Sequence, residues 1–286
     1  MTQPSLGRGI ALTLLAWSVF PILDAISKFL AADYHVFFVM WGRFSGQFLF
    51  AVLLVLPRGL ARTAKTPFLR LQLLRSAGFA AHTVIYIFAI LLLPLADASA
   101  LLFTGPLMLA ALSGPLLKER VSLPTWIAVL TGFAGAMIVA RPDAEVVNWG
   151  AALVLVSTLC FALYQIATRS LTRQESPYTT LLYTPFAGMA GLALLLPWTW
   201  ATPGMHDVAL LLLMGFVGAV GHFLLIKGYE HAGAAQLAPY SYAHILMSAI
   251  LGYAVFGDVP DGWMAAGAAI IAGSGFWLAW HEGVRA

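Results

Sequence analysis

GIALTLLAWSVFPILDAISKFL, residues 9–30, and GAALVLVSTLCFALYQIATRSL, residues 150–171, read as two versions of one segment. At an offset of 141, Gly9, Ala11, Leu12, Leu14, Phe20 and Leu30 recur as Gly150, Ala152, Leu153, Leu155, Phe161 and Leu171. The pair Ser27-Lys28 returns as Thr168-Arg169. Further on, Gly78-Phe79 matches Gly215-Phe216 and Trp126 matches Trp263, both at an offset of 137. One match between apolar runs means little. Matches that keep their order and nearly keep their spacing indicate a duplicated unit.

The unit is built for lipid. Of 286 residues, 61% are hydrophobic and 9% charged, against about 25% charged in an ordinary soluble domain. Such a chain cannot cover a water-facing surface. A spanning helix needs about 20 mainly apolar residues, and ten segments qualify: 8–30, 35–56, 71–93, 97–116, 123–140, 148–170, 178–197, 207–227, 234–256 and 261–281. The connections are too short for a soluble domain, and no cleavable signal is evident. The net charge of +3 is spread over short loops, which excludes a nucleic-acid face. The single cysteine, Cys160, excludes an internal disulfide framework and a cysteine metal cluster.

Lysine and arginine concentrate on the cytoplasmic side of membrane proteins. With ten spans, twelve of them lie on the side of the termini, while the other side holds Lys28 and Arg141; Arg43, inside the second span, is not counted. Both termini are therefore expected in the cytoplasm. Because five spans per copy is odd, the second copy enters the membrane the other way up. The sequence predicts an all-α integral membrane protein of ten transmembrane helices in two inverted five-helix repeats, residues 1–142 and 143–286. Inverted repeats accompany alternating access, with the substrate held near mid-membrane between the halves.

An acidic residue follows the fourth span of each half, in LLKERVS (116–122) and VFGDVPD (255–261). With this pattern the chain resembles the drug/metabolite transporter superfamily, of the EamA type. DAISK (24–28), WGRF (41–44), LAPYSY (237–242) and FGDVPD (256–261) are similar to the branch described for S-adenosylmethionine or riboflavin uptake. The resemblance implies a multi-pass protein of the bacterial inner membrane with a central cavity lined by spans 1, 3, 4, 6, 8 and 9. Asp258 stands where the family commonly has Glu.

Candidate site residues fall on helical stripes. At about 100° per residue, Trp17, Pro21, Asp24 and Lys28 lie within roughly 60° of one another. A charge inside a bilayer needs a partner, a water-filled cavity or a function. Asp24 is too short to reach the interface, whereas Lys28 can snorkel outward or pair with it one turn away. Pro21 can kink the helix beside the acid. Arg43 is the second buried charge, with Asp24 or an anionic substrate group as its partner. The third span aligns Gln72, Arg75, Phe79, His82 and Tyr86; the sixth, Ser157, Phe161, Tyr164, Gln165 and Thr168; the ninth, Gln236, Tyr240, His244 and Met247 after Pro239. Aromatic faces beside polar tips suit planar or cationic organic molecules; ordinary helix packing is the competing reading. His82, His222 and His244 lie in apolar runs, as proton-relay groups or as neutral links between helices. Gly215, Gly218 and Gly221 offer a face for close helix contact or sliding.

These readings converge on a secondary transporter of a small organic metabolite such as an amino acid, riboflavin-like or S-adenosylmethionine-like compound. Protons are the candidate coupling ion, and assembly of identical copies is left open. No catalytic residue, metal site or cofactor is expected: neither GxSxG nor HExxH occurs. An intramembrane enzyme and a membrane sensor without transport remain the alternatives.

Overall fold

The computed structural model describes residues 5–92, 101–140, 149–251, 254 and 262–283. The FGDVPD motif with Asp258, and Arg141, lie outside the described residues, as does the side chain of Lys28. Helices dominate and no strand occurs among the described residues. In hydrocarbon every backbone polar group must be satisfied within the chain, and a helix does so within one segment. The main helices are α1 (Leu6–Leu30), α2 (Val36–Val55), α3 (Leu69–Leu92), α4 (Gly105–Leu117), α5 (Leu123–Ala140), α6 (Trp149–Thr172), α7 (Pro177–Tyr183), α8 (Phe186–Ala193), α9 (Met205–His231), α10 (Ala243–Leu251) and α11 (Gly262–Gly283). Among the described residues, four stretches are long and apolar enough to cross a bilayer: Leu6–Ser27, Val36–Arg58, Trp149–Thr172 and Met205–His231. Gly105–Leu117 is a shorter apolar helix.

α1 runs unbroken through Pro21. Two of the spans read from the sequence are instead interrupted. The segment read at 178–197 breaks between α7 and α8 at Thr184-Pro185, because proline has no N–H to donate and its ring crowds the preceding turn. The segment read from 234 opens as one α-turn, Ala234–Leu237, followed by 3-10 helix at Ala238–Tyr242, before α10 begins. Pro239 lies in that tightened stretch.

The break at Pro185 has a built repair. Thr184 N–H turns back to Leu181 O, so the usual ladder bond to Thr180 O is lost. Arg75 of α3 donates to that carbonyl and to Thr184 Oγ1, the latter at 2.9 Å. Ser76 donates to Thr184 O at 3.1 Å and accepts the Ala187 N–H of α8 at 2.9 Å. Arg75 further reaches Gln72 Oε1 and Thr168 Oγ1, its guanidinium lies 5.2 Å from the Tyr164 ring centroid, and the residue is 2% exposed. Gln72 in turn donates to Glu175 Oε2 at 2.8 Å. Two members of the third-span stripe therefore mend a broken helix.

Helix packing follows a pattern. α1 packs most extensively on α9 and α3 on α6; α5 packs on α11, α4 on α6, and α1 on α10. α2 also lies on α9, where a Cβ added to Gly215 would sit 2.5 Å from the Cα of Gly46. Only paired glycines allow that approach.

Candidate functional site

α1, α2 and α10 bring three polar side chains together. Asp24 Oδ2 accepts from His244 Nε2 at 3.0 Å, and Asp24 Oδ1 lies 3.9 Å from an Arg43 Nη. The Asp24 side chain is 56% exposed even though it sits well inside an apolar helix. Arg43 and His244 are far more enclosed.

Aromatic rings flank this group. Trp17 meets His244 edge-on at 6.1 Å between centroids, and Phe161 likewise at 5.8 Å. His82 lies 4.5 Å from Phe161 and stacks towards Tyr86 at 6.2 Å. Its Nδ1 contacts Ser157 O at 3.1 Å and Ser157 Oγ at 2.8 Å, while that hydroxyl donates to His82 O. A carbonyl only accepts, so Nδ1 carries the proton.

Other candidates lie deeper. Phe79, Tyr164, Gln165, His222, Pro239 and Tyr240 are buried. Tyr164 OH pairs with His222 Nδ1 at 2.9 Å, and Phe79 packs on both rings at 5.0 and 4.6 Å. Gln165 Oε1 accepts from Tyr229 OH at 2.6 Å. The structure thus divides the candidates: Trp17, Asp24, Arg43, His82, Tyr86 and His244 gather where a side chain remains accessible, and the buried six pack in the interior. Phe161 meets Trp17 and His82 of the accessible group, apart from its stripe neighbours Tyr164 and Gln165, which are buried.

A second polar cluster ties helix ends. α4 ends at Lys118 in the left-handed conformation (φ 56°), which redirects the chain at Glu119. Glu119 Oε1 accepts from Arg169 Nε at 2.8 Å and Arg173 Nη2 at 2.6 Å; Oε2 accepts the Ala234 N–H at 2.9 Å. Arg169 also donates to Tyr229 O. The Glu119 side chain is only 11% exposed. One carboxylate thereby fastens the ends of α4, α6 and α9 to the turn at Ala234. Sequence reading marked Glu119 through its motif, but not these partners. Elsewhere Tyr34 donates to Asp207 Oδ2 at 2.7 Å, linking the α1–α2 connection to α9, and that carboxylate pushes the Tyr34 hydroxyl above its ordinary pKa.

Residues 148–280 match the model of the EamA-like transporter family. The chain carries an EamA-family domain. The riboflavin transporter of Vibrio cholerae is 36% identical over 184 residues, 62% of this chain and 60% of that protein. The chain thus spans less than two thirds of that relative's length. The S-adenosylmethionine uptake transporter of Rickettsia conorii is 26% identical over 259 residues, 91% of this chain and 88% of its own. A solved crystal structure aligns over 99% of both chains with a TM-score of 0.81 at 19% identity, a likeness of fold. The EamA domain covers α6 to most of α11, and so includes Arg169, His222 and His244 but neither Asp24 nor Arg43.

Proposed function

We propose that this EamA-domain protein is a secondary active transporter that moves a small planar, aromatic or cationic metabolite across the bacterial inner membrane by alternating access. The observation that carries the reading is Asp24: a carboxylate more than half exposed inside an apolar bundle, bonded to His244, which Trp17 meets edge-on. The names of the two relatives make riboflavin and S-adenosylmethionine the first candidate substrates.

The architecture we assign is ten spans in two inverted repeats, 1–142 and 143–286, with cytoplasmic termini. Helix packing supports it. Exchanging span n with span n+5 turns the α1–α9 pair into α6–α3, turns α4–α6 into the pair of α10 with α1, and maps α5–α11 onto itself. The α2–α9 pair maps onto the lesser contacts of α3 with α7 and α8. Exposed Trp149, Trp198 and Trp263 fall at the outer ends in this topology and Trp280 at the inner end, as interfacial aromatics do.

In the same frame Glu119, Arg169, Arg173 and Ala234 lie at the cytoplasmic end, and Asp24 in the outer half. A fastened inner end beneath an accessible acid describes an outward-facing state. Opening inward then requires the Glu119 cluster to release. Asp24 and His244, with Arg43 and His82 nearby, are the groups we assign to proton coupling.

Proteoliposomes holding the purified protein and offered radiolabelled riboflavin or S-adenosylmethionine should accumulate one of them, and an imposed pH gradient should change the rate. Equal counts in protein-free vesicles for both compounds and for amino acids would remove the transporter reading. Reporter fusions at either terminus are expected to be active only in the cytoplasm. A fusion active outside would overturn the topology.

A further inference from the structure

Three arginines within the helices are satisfied very differently. The Arg75 guanidinium reaches four oxygen acceptors on its own and two neighbouring elements. Arg169 holds the Glu119 carboxylate and the Tyr229 carbonyl. Arg43 has no hydrogen bond among the described residues. Its nearest anion, Asp24 Oδ1, stands 3.9 Å away, and its Nε is buried without a partner. A guanidinium offers five N–H donors in a planar fork that matches a carboxylate. Leaving that fork unmatched inside an apolar bundle is costly, unless a water-filled recess or an incoming anion completes it.

Asp24 faces the same space with the opposite charge. One of its oxygens is held by His244, the other is turned to Arg43, and more than half of the side chain is accessible. A cation and an anion side by side, neither closed upon the other, complement an anion and a cation borne side by side. The two charges of an α-amino acid are separated by a single carbon. Trp17, Phe161 and His82 then supply faces for a flat body attached to that head group.

We propose that Arg43 and Asp24 are the head-group receptor for a zwitterionic substrate, its carboxylate on the Arg43 fork and its ammonium on Asp24. This rests on the transporter reading and narrows it. S-adenosylmethionine, which carries an amino-acid head, fits the receptor; riboflavin, which has no such head, does not. The competing role for Arg43 is a strut that merely holds α2 to α1.

The test is equilibrium binding to the purified full chain in lipid nanodiscs, by calorimetry, with two matched sets of probes and riboflavin. One set is L-tryptophan, tryptamine and indole-3-propionate. The other is S-adenosylmethionine, its decarboxylated form and 5′-methylthioadenosine. In at least one set the zwitterion is expected to bind about tenfold or more tightly than either truncated analogue, and more tightly than riboflavin. Arg43→Gln is expected to bring the zwitterion down to the affinity of the amine while moving the amine itself by no more than about twofold.

Equal binding of amine and zwitterion, tighter binding of riboflavin, or no binding by either zwitterion overturns the assignment. So does an Arg43→Gln variant that weakens amine and zwitterion alike. If Arg43→Gln does not fold, Arg43→Lys keeps the charge and removes the fork; it should fold and lose the same discrimination. Failure of both variants to fold makes Arg43 a strut and ends the proposal. The transporter reading falls separately: zwitterion binding without flux would sink transport and leave the receptor standing, and riboflavin flux without zwitterion preference would do the reverse.

Discussion

Arg75→Leu is expected to destabilise the protein by about 3–5 kcal/mol, enough to abolish recovery of a monodisperse species from detergent. The leucine would fill much of the space, yet Thr184 Oγ1 and Thr168 Oγ1 would lose the Arg75 donor, and Thr180 O would keep only the Thr184 hydroxyl. Water cannot restore those bonds at a site where Arg75 is 2% exposed. The loss falls on one element: Arg75 and Ser76 of α3 bond groups on both sides of the break between α7 and α8, beside the local bonds of Thr184 to Leu181 O and Thr180 O. Arg75→Lys should do better than leucine and worse than wild type, because one ammonium cannot span acceptors that a fork reaches together. Thermal unfolding followed by size-exclusion chromatography reads the series. An Arg75→Leu protein that elutes and melts like wild type would show that the repair of the break lies elsewhere.

That same arginine shows what the sequence could and could not reveal. Gln72, Arg75, Phe79, His82 and Tyr86 share one face of α3, and helical spacing finds that face. It cannot say which neighbour the face meets. At one end the stripe meets a helix broken by proline, and its polar groups become structural; further along, His82 meets Phe161 and stacks towards Tyr86. The break itself was signalled by Thr184-Pro185. A window of average hydropathy runs through one proline without registering it, so 178–197 read as continuous. The pairing of Asp24 with His244 was illegible for a related reason. Periodicity offers partners at i+3 and i+4 on the same helix, whereas His244 comes from a segment 220 residues away. The duplication we propose supplies a control: at the offset of 141, position 24 corresponds to 165. The first copy has an accessible aspartate there, and the second has Gln165, buried and bonded to Tyr229. In the duplication we propose, the two positions differ in surroundings: one is accessible and the other is packed.

Asp24→Asn is expected to leave the fold near wild type and to lower transport about ten- to a hundredfold. The stability half follows from geometry. Removing one member of a buried ion pair strands the other charge and costs several kcal/mol. Asp24 is more than half exposed, however, and Arg43 stands beyond hydrogen-bond range, so there is little pairing energy to lose. An asparagine oxygen can still accept from His244 Nε2. The transport half follows from charge. An amide cannot hold an ammonium group as a carboxylate does, and charge-assisted bonds are roughly twice as strong as neutral ones. Coupling also needs a group whose interactions differ between the two access states, since a residue that binds equally in both shifts nothing. A variant that melts early while transporting normally per folded molecule would make Asp24 a strut between α1 and α10. Restoration of that variant's stability by a second change at Arg43 or His244 would identify which partner the strut serves. Normal melting with impaired flux would instead place the acid on the substrate's path, which is the outcome that its exposure inside an apolar helix leads us to expect.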